Sequence, residues 1–274
     1  MQLKLIPIPV NLKEHVECIR TVEHCSETGL AINVCLNGLP GIVFQHHEGH
    51  SPIENITTPS GITTCAPTLY LYGQITEPGV MNHKKEPFST IQIVLKPHAL
   101  QSLLGINASV VTDSIVGLDE FSARDLNMRL IEASDEQERI TLLTNFLSAM
   151  LNQAKARDCL IEESLHLIHQ NRGAITVKYL LEYLSLSERQ FEKRFSQTVG
   201  VPPQFYIRVK RFNEAIRLMK TRQFETLTDV AYSLNFYDQS HFIRDIKAFS
   251  GITPKNLFQR VDDFHPEEMV YAYT

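Results

Sequence analysis

The chain has 274 residues, 43% hydrophobic and 21% charged, the make-up of a globular protein with one large or two ordinary domains. It has no eighteen-residue apolar run and no basic start leading into an apolar segment, so neither a membrane span nor a signal peptide is expected. The net charge of −5 hides an asymmetry: residues 1–160 carry 11 basic and 17 acidic side chains, and residues 171–260 carry 15 and 8, the layout expected where one region approaches a polyanion.

Residues 1–116 contain short apolar runs bounded by Gly, Pro or Asn: "GLAINVCL", "GIVFQHH", "TLYLYGQI" and "STIQIVLKP". Their length and β-branched content predict strands and turns, arranged as a small β-barrel or sandwich with a short helix near "PHALQSLLGI". From Asp119 the period becomes helical. "SDEQERITLLTNFLSAMLNQAK" opens with Ser134 as expected N-cap and Glu138 in the first turn, followed by an apolar stripe at Leu142, Phe146 and Leu147. That stripe fits either the domain core or a dimer seam. A further helix over about 158–170 leads to "NRG", with Gly173 as an expected hinge.

Residues 174–260 contain an internal repeat. "YLLEYLSLSERQFEKRFSQTVGVPP" is followed by "DVAYSLNFYDQSHFIRDIKAFSGITP". Leu180 and Leu184 match Val230 and Leu234 at an offset of 50, and Phe191 and Phe195 match Phe242 and Ile246 at 51. Gly200, Val201 and Pro203 match Gly251, Ile252 and Pro254, also at 51. Each copy predicts a short helix, a tight turn and a longer helix ended by Gly with Pro soon after, with Ser187 and Asp238 as N-caps of the longer helix. This is a helix-turn-helix pattern given twice. "PPQFYIRVKRFNEAIRLMK" between the copies predicts one long helix, with Phe212, Ile216 and Met219 spaced to touch both. The last thirteen residues, carrying Asp262, Asp263, Glu267 and Glu268, predict an acidic tail over 262–274.

The stretch from about 176 to 260 resembles the DNA-binding domain of AraC-type (AraC/XylS) transcription regulators, through "LSLSERQFEKRF", "RFNEAIRLM" and "DVAYSLNFYDQSHFIRDIKAFSGITP" at their mutual spacing. It departs from the family pattern at Leu181, where Ala is usual, at Ser185 and Asn235, where Gly is usual, and at Ile246, where Phe is common. The N-terminal region resembles a sensor domain attached to some of these regulators, through "GQITEPG", "IQIVLKPHALQSLLGI", "VTDSIVGLDEF" and "SDEQERITLL". The resemblance implies an N-terminal barrel-like part for effector binding with helices for dimerisation. It also implies two recognition helices that enter successive major-groove segments on one face of the DNA.

The expected architecture is therefore a multi-domain α+β chain. Residues 1–157 form an effector-binding and dimerisation domain, 158–173 a linker helix and hinge, and 174–261 an all-α double helix-turn-helix. By position in the motif, Arg189, Gln190, Glu192 and Lys193 of the first copy are candidate base contacts, as are Gln239, Ser240, His241 and Arg244 of the second. Arg bonds bidentately to guanine, Gln to adenine, and Glu accepts from cytosine N4. Arg194, Lys210, Arg211 and Lys247 are candidates for phosphate contact. If both helices read one duplex face, their centres lie about 34 Å apart.

The rival signal is "HHEGH". Strand alternation would put His46, Glu48 and His50 on one face, a candidate metal site loosely similar to the His-x-His element of cupin enzymes, against an exposed loop as the plainer reading. That would make the alternative a metal-dependent cupin-like enzyme with a helical appendage. No nucleophile elbow, P-loop, dinucleotide fingerprint or HExxH is present, so no catalytic residue and no cofactor is expected. Five cysteines without a CxxC pair fit a reducing cytoplasm. The expected partners are double-stranded DNA, a small-molecule effector, RNA polymerase and a second copy of the chain.

Overall fold

The computed structural model describes residues 2–63, 66–121, 123–152, 157–222, 224–236, 238–261 and 270–273. The N-terminal region begins with β1 (Gln2–Ile6), β2 (Val16–His24), β3 (Leu30–Val34), β4 (Gly41–His46), β5 (Ile53–Thr58) and β6 (Gly61–Thr63). It continues with β7 (Leu69–Tyr72), β8 (Gly79–His83), β9 (Phe88–Leu95), a one-turn helix α1 (Ala99–Ser102) and β10 (Ile115–Gly117). Helices α2 (Arg124–Glu132) and α3 (Glu136–Leu151) complete it. The C-terminal region comprises α4 (Cys159–Gln170), α5 (Val177–Leu184), α6 (Glu188–Val199) and α7 (Pro203–Thr221). After these come α8 (Leu227–Ser233), α9 (Gln239–Ser250), α10 (Pro254–Gln259) and a final strand β11 (Val270–Tyr273).

All strand pairings are antiparallel, in two sheets of order β1-β2-β9-β4-β7-β10 and β11-β3-β8-β5-β6. Neither closes on itself, so the β-rich region is two open sheets rather than a closed barrel. In the six-stranded sheet, period-2 alternation sends Ile42, Phe44, Leu69, Leu71, Ile91 and Ile93 into one core with α1, α2 and α3. The opposite face buries Val43, Tyr70 and Val94 and carries a polar chain among them. Arg20, 3% exposed, donates from Nε and Nη2 to Gln92 Oε1 at 3.0 and 2.7 Å, and Gln92 Nε2 donates to Tyr72 OH at 2.8 Å.

Leu143 and Leu147 of α3 are buried in that core, with Leu142 and Phe146 packed at its edge. The cap of α3 lies one residue later than expected. Asp135, not Ser134, accepts from Glu138 N at 2.8 Å, and Ser134 bonds the Glu138 carboxylate through its amide and hydroxyl.

The charged residues expected in the tail, Asp262, Asp263, Glu267 and Glu268, lie outside the described residues. Residues 270–273 pair with β3 as β11. Among the described residues no helix is long and apolar enough to cross a membrane.

The C-terminal helices build two cores. Ile161, Leu165 and Ile168 of α4 pack with Leu180, Phe191 and Phe195, so the helix expected as a linker is part of the first unit's core. Gly173 is packed against α7, where a Cβ would sit 2.6 Å from Arg211 N. The second core gathers Phe212, Ile216, Met219, Val230, Phe242, Ile246, Phe249 and Leu257. Phe212, Ile216 and Met219, predicted to touch both copies, lie in the second, while Tyr206 and Ile207 of the same helix serve the first.

Candidate nucleic-acid interface

The two copies fold alike for local reasons. Thr176 caps α5, Ser187 caps α6 and Asp238 caps α9, each side chain accepting from the backbone N–H three residues on. Thr226 and Asp229 form a reciprocal capping box on α8. The turns before α6 and α9 pass through left-handed backbone at Ser185 and Asn235, both with φ of 54°, at the two places where the family pattern has Gly. Gly200 and Gly251 end α6 and α9 at φ of 102° and 77°, a conformation that disfavours any side chain.

In each copy the apolar side of the second helix is fully used. Phe191 and Phe195 are buried in the first, Phe242, Ile246 and Phe249 in the second. Arg189, Gln190, Glu192 and Lys193 remain exposed on α6, and Gln239, Ser240 and Arg244 on α9. Lys193 and Arg244 occupy the same place in the repeat, 51 residues apart, so each helix presents one exposed cation at an equivalent point.

Two of the eight candidates are already engaged. Gln190 Oε1 accepts from the Ser187 hydroxyl at 2.9 Å. His241 is half-buried, edge-on to Phe236, with Nε2 3.6 Å from Asp245 Oδ2.

Asp245 is the structural centre of the second copy. It is 0% exposed, and Arg208 of α7 holds it by two bonds, Nη2 to Oδ1 at 2.7 Å and Nε to Oδ2 at 3.2 Å. A buried carboxylate needs such a partner. The guanidinium of Arg208 also lies over the Phe249 ring, 5.1 Å from its centroid. Arg208 was not among the sequence candidates. Asp245 is 37 residues away, and no local pattern pairs residues at that distance.

The four expected phosphate contacts separate. Lys247 is exposed. Arg194 donates to both oxygens of Asp158, the N-cap of α4, at 2.6 and 2.8 Å, and that hydrogen bond raises its pKa. Arg211 is half-buried, donates twice to the Gly173 carbonyl and lies over Phe236 at 5.2 Å; burial lowers its pKa.

Lys210 is half-buried at the contact with the N-terminal region. Its ammonium donates to the Asn37 carbonyl at 3.0 Å, and burial lowers its pKa to about 8. Arg194, Lys210 and Arg211 thus hold the protein's own elements together in this arrangement. Lys255, exposed in the first turn of α10, is a cation that reading the sequence overlooked.

The "HHEGH" segment does not form the strand face that the metal reading needs. Beta4 ends at His46, and Glu48 and Gly49 turn the chain at φ of 47° and 83°, so His47 and His50 pair across a hairpin tip. His50 Nε2 lies 3.3 Å from the Glu86 carboxylate. The His46 ring stacks near Phe44 at 5.1 Å, with both nitrogens buried and without a hydrogen bond; burial lowers its pKa. Among the described residues no three His, Cys, Asp or Glu side chains come together as a metal site.

Residues 180–260 match a family model described as a helix-turn-helix domain. Over 83 residues the chain is 31% identical to the HTH-type transcriptional activator RhaS of Escherichia coli O139:H28, covering 30% of each protein. Residues 180–260 thus carry a helix-turn-helix domain similar to that of this activator, in line with the AraC-type resemblance of their motifs. The domain is also similar to the F1 operon positive regulatory protein of Yersinia pestis, 31% identical over 81 residues and covering 30% of this chain and 27% of that one.

An uncharacterised HTH-type transcriptional regulator of Staphylococcus aureus (strain MSSA476) is 31% identical over 107 residues. The match takes in 39% of this chain and 14% of that protein's length. Residues 6–117 match a domain of unknown function, DUF6597. A 1.65 Å structure of ToxT from Vibrio cholerae aligns over 88% of this chain and 97% of that one, at 13% identity and a TM-score of 0.47.

Proposed function

We propose that this chain is a sequence-specific DNA-binding transcription regulator that lays α6 and α9 in successive major-groove segments of one duplex face. The observation that carries this reading is the equivalence of the two copies. Each buries one face of its second helix and leaves an exposed polar face with a cation at the same point, Lys193 or Arg244. A groove-reading helix needs that division, because base edges are addressed by side-chain donors and acceptors while the apolar face holds the helix on its own unit.

Arg244 is suited to bidentate contact with guanine, Gln239 to adenine, and Arg189, Lys193, Ser240 and Glu192 to neighbouring base edges. Gln190 and His241, already bonded within the protein, are better placed to orient their helices. Lys247 and Lys255 are suited to phosphate contact, which fixes register. With Arg194, Lys210 and Arg211 engaged internally, fewer phosphates would be neutralised than the +7 balance of residues 171–260 suggests.

The N-terminal region then regulates. The buried polar chain of Arg20, Gln92 and Tyr72 holds donors and acceptors of the kind that orient a small polar effector, and a second copy and RNA polymerase are the expected protein partners. The work is done in the cytoplasm and no chemistry is catalysed.

Hydroxyl-radical footprinting on a duplex selected from a random pool tests the reading. Two protected patches about ten base pairs apart on one face are expected. A single patch, or uniform weak protection, would contradict it.

A further inference from the structure

Both second helices end against the N-terminal domain, at equivalent places in the repeat. At the end of α6, the Thr198 hydroxyl donates to Gln101 Oε1 at 2.5 Å, and the Gly200 carbonyl accepts from Thr112 Oγ1 at 2.7 Å. At the end of α9, the Phe249 carbonyl accepts from Leu36 N at 3.3 Å, and Gly251 lies beside Pro78. Thr198 and Phe249 are 51 residues apart, as are Gly200 and Gly251.

The loop after β7 reaches both ends. Gln74 Cγ would sit 3.2 Å from a Cβ at Gly200, and Pro78 Cγ 3.7 Å from one at Gly251. Between the two ends, Lys210 Nζ and Asn213 Nδ2 of α7 both donate to the Asn37 carbonyl, at 3.0 and 2.8 Å. Cys35 and Leu36 are 1% and 0% exposed and belong to the core of the second unit.

We propose that the N-terminal domain is a gauge for the two recognition helices. By gripping the C-terminal ends of α6 and α9 it fixes their separation and twist, and so sets which spacing of the two groove segments the protein accepts. The proposal rests on the reading that α6 and α9 enter DNA.

The geometry makes the grip effective. The reading residues lie toward the N-terminal ends of these helices, and the contacts lie at the opposite ends. A twelve-residue helix is ~18 Å long, so a tilt of ~10° about its held end moves the reading end ~3 Å, about one base-pair step. Without the grip, α7 is the main connection between two units whose cores are largely separate. Thr112, Gln101 and Leu36 are thus positioning residues that touch no DNA, and a shift in the loops carrying them changes operator choice.

The test titrates the full-length chain and a Thr112→Val, Gln101→Leu, Leu36→Ala variant against a selected duplex. Both are also titrated against versions with one base pair inserted or removed between the two contacted segments. One inserted pair displaces the second segment by ~3.4 Å and rotates it by ~35°. The wild-type chain is expected to lose about 30-fold in affinity on insertion, and the variant about 5-fold or less, since its units can re-space.

Equal losses in the two proteins overturn the gauge. If the wild-type chain does not distinguish the selected duplex from random DNA, it is the recognition-helix reading that fails. Should circular dichroism show the triple variant unfolded, the Thr112→Val, Gln101→Leu pair, which spares both cores, makes the same comparison with the same deciding outcomes.

Discussion

Replacing Arg208 by Met removes the only Lys or Arg that donates to Asp245 among the described residues, and leaves a carboxylate with 0% side-chain exposure inside the second unit. Breaking a buried ion pair from one side costs about 3–5 kcal/mol, because the remaining charge keeps its desolvation penalty and loses its partner. The guanidinium stacked on Phe249 is lost as well, though a Met side chain recovers part of that contact.

The companion variant, Arg208→Met with Asp245→Leu, removes both charges and fills the space with apolar atoms. It should lie within about 1 kcal/mol of the wild-type chain or exceed it. Urea unfolding followed by circular dichroism gives the totals, and hydrogen exchange of the α9 amides locates the loss in the second unit. A single-variant cost below about 1 kcal/mol, the value of an exposed pair, would refute the reasoning, because the carboxylate would then be solvated.

Three further outcomes follow from the same geometry. Lys247→Ala should weaken binding to all duplexes alike and reduce the slope of log affinity against log salt by about 0.9; an unchanged slope counts against a phosphate contact. Ser187→Ala should destabilise the first unit by about 1 kcal/mol in urea, through loss of the bond to Gln190 N, and a neutral result would remove the cap from the account.

Burial lowers the imidazole pKa of His83 and of His98 to about 4, from 6.5 for an exposed ring. The unfolded chain therefore takes up these protons first as pH falls. The stability they confer is present above pH 6.5 and is lost between about 6.5 and 4, by at most about 3 kcal/mol for each. His83→Phe, next to the Phe88 ring on which His83 stacks, should flatten part of that decline in thermal unfolding. An unaltered decline would mean that His83 is not buried neutral.

What could be read from the sequence was local or repeated. Ser187, Asp238, Gly200 and Gly251 mark helix ends through their own side chains or their lack of one. The repeat at 50–51 residues tied two weak signals into one strong one; the left-handed backbone at Ser185 and Asn235, where the family pattern has Gly, came from the structure. The exposed faces of α6 and α9 followed from the same periodicity.

What could not be read depends on distant pairing. Lys210 and Arg211 look like free cations in a basic helix, and only the fold brings Asn37 to one and Gly173 to the other. The turn at Glu48 and Gly49 defeats the alternation that would have aligned His46, Glu48 and His50. Asp135 won the α3 cap from Ser134, since adjacent residues with equivalent capping chemistry differ only in backbone conformation.

The central claim, that α9 reads base edges through Arg244, is tested most directly by selecting binding sites from random duplex DNA with the wild-type chain and with Arg244→Ala. The account predicts two blocks of preference one helical turn apart for the wild-type chain. In the variant it predicts that preference relaxes at one position of one block, with an affinity loss of about 1–3 kcal/mol on the original site. Identical selected sequences and unchanged affinity for the two proteins would contradict it.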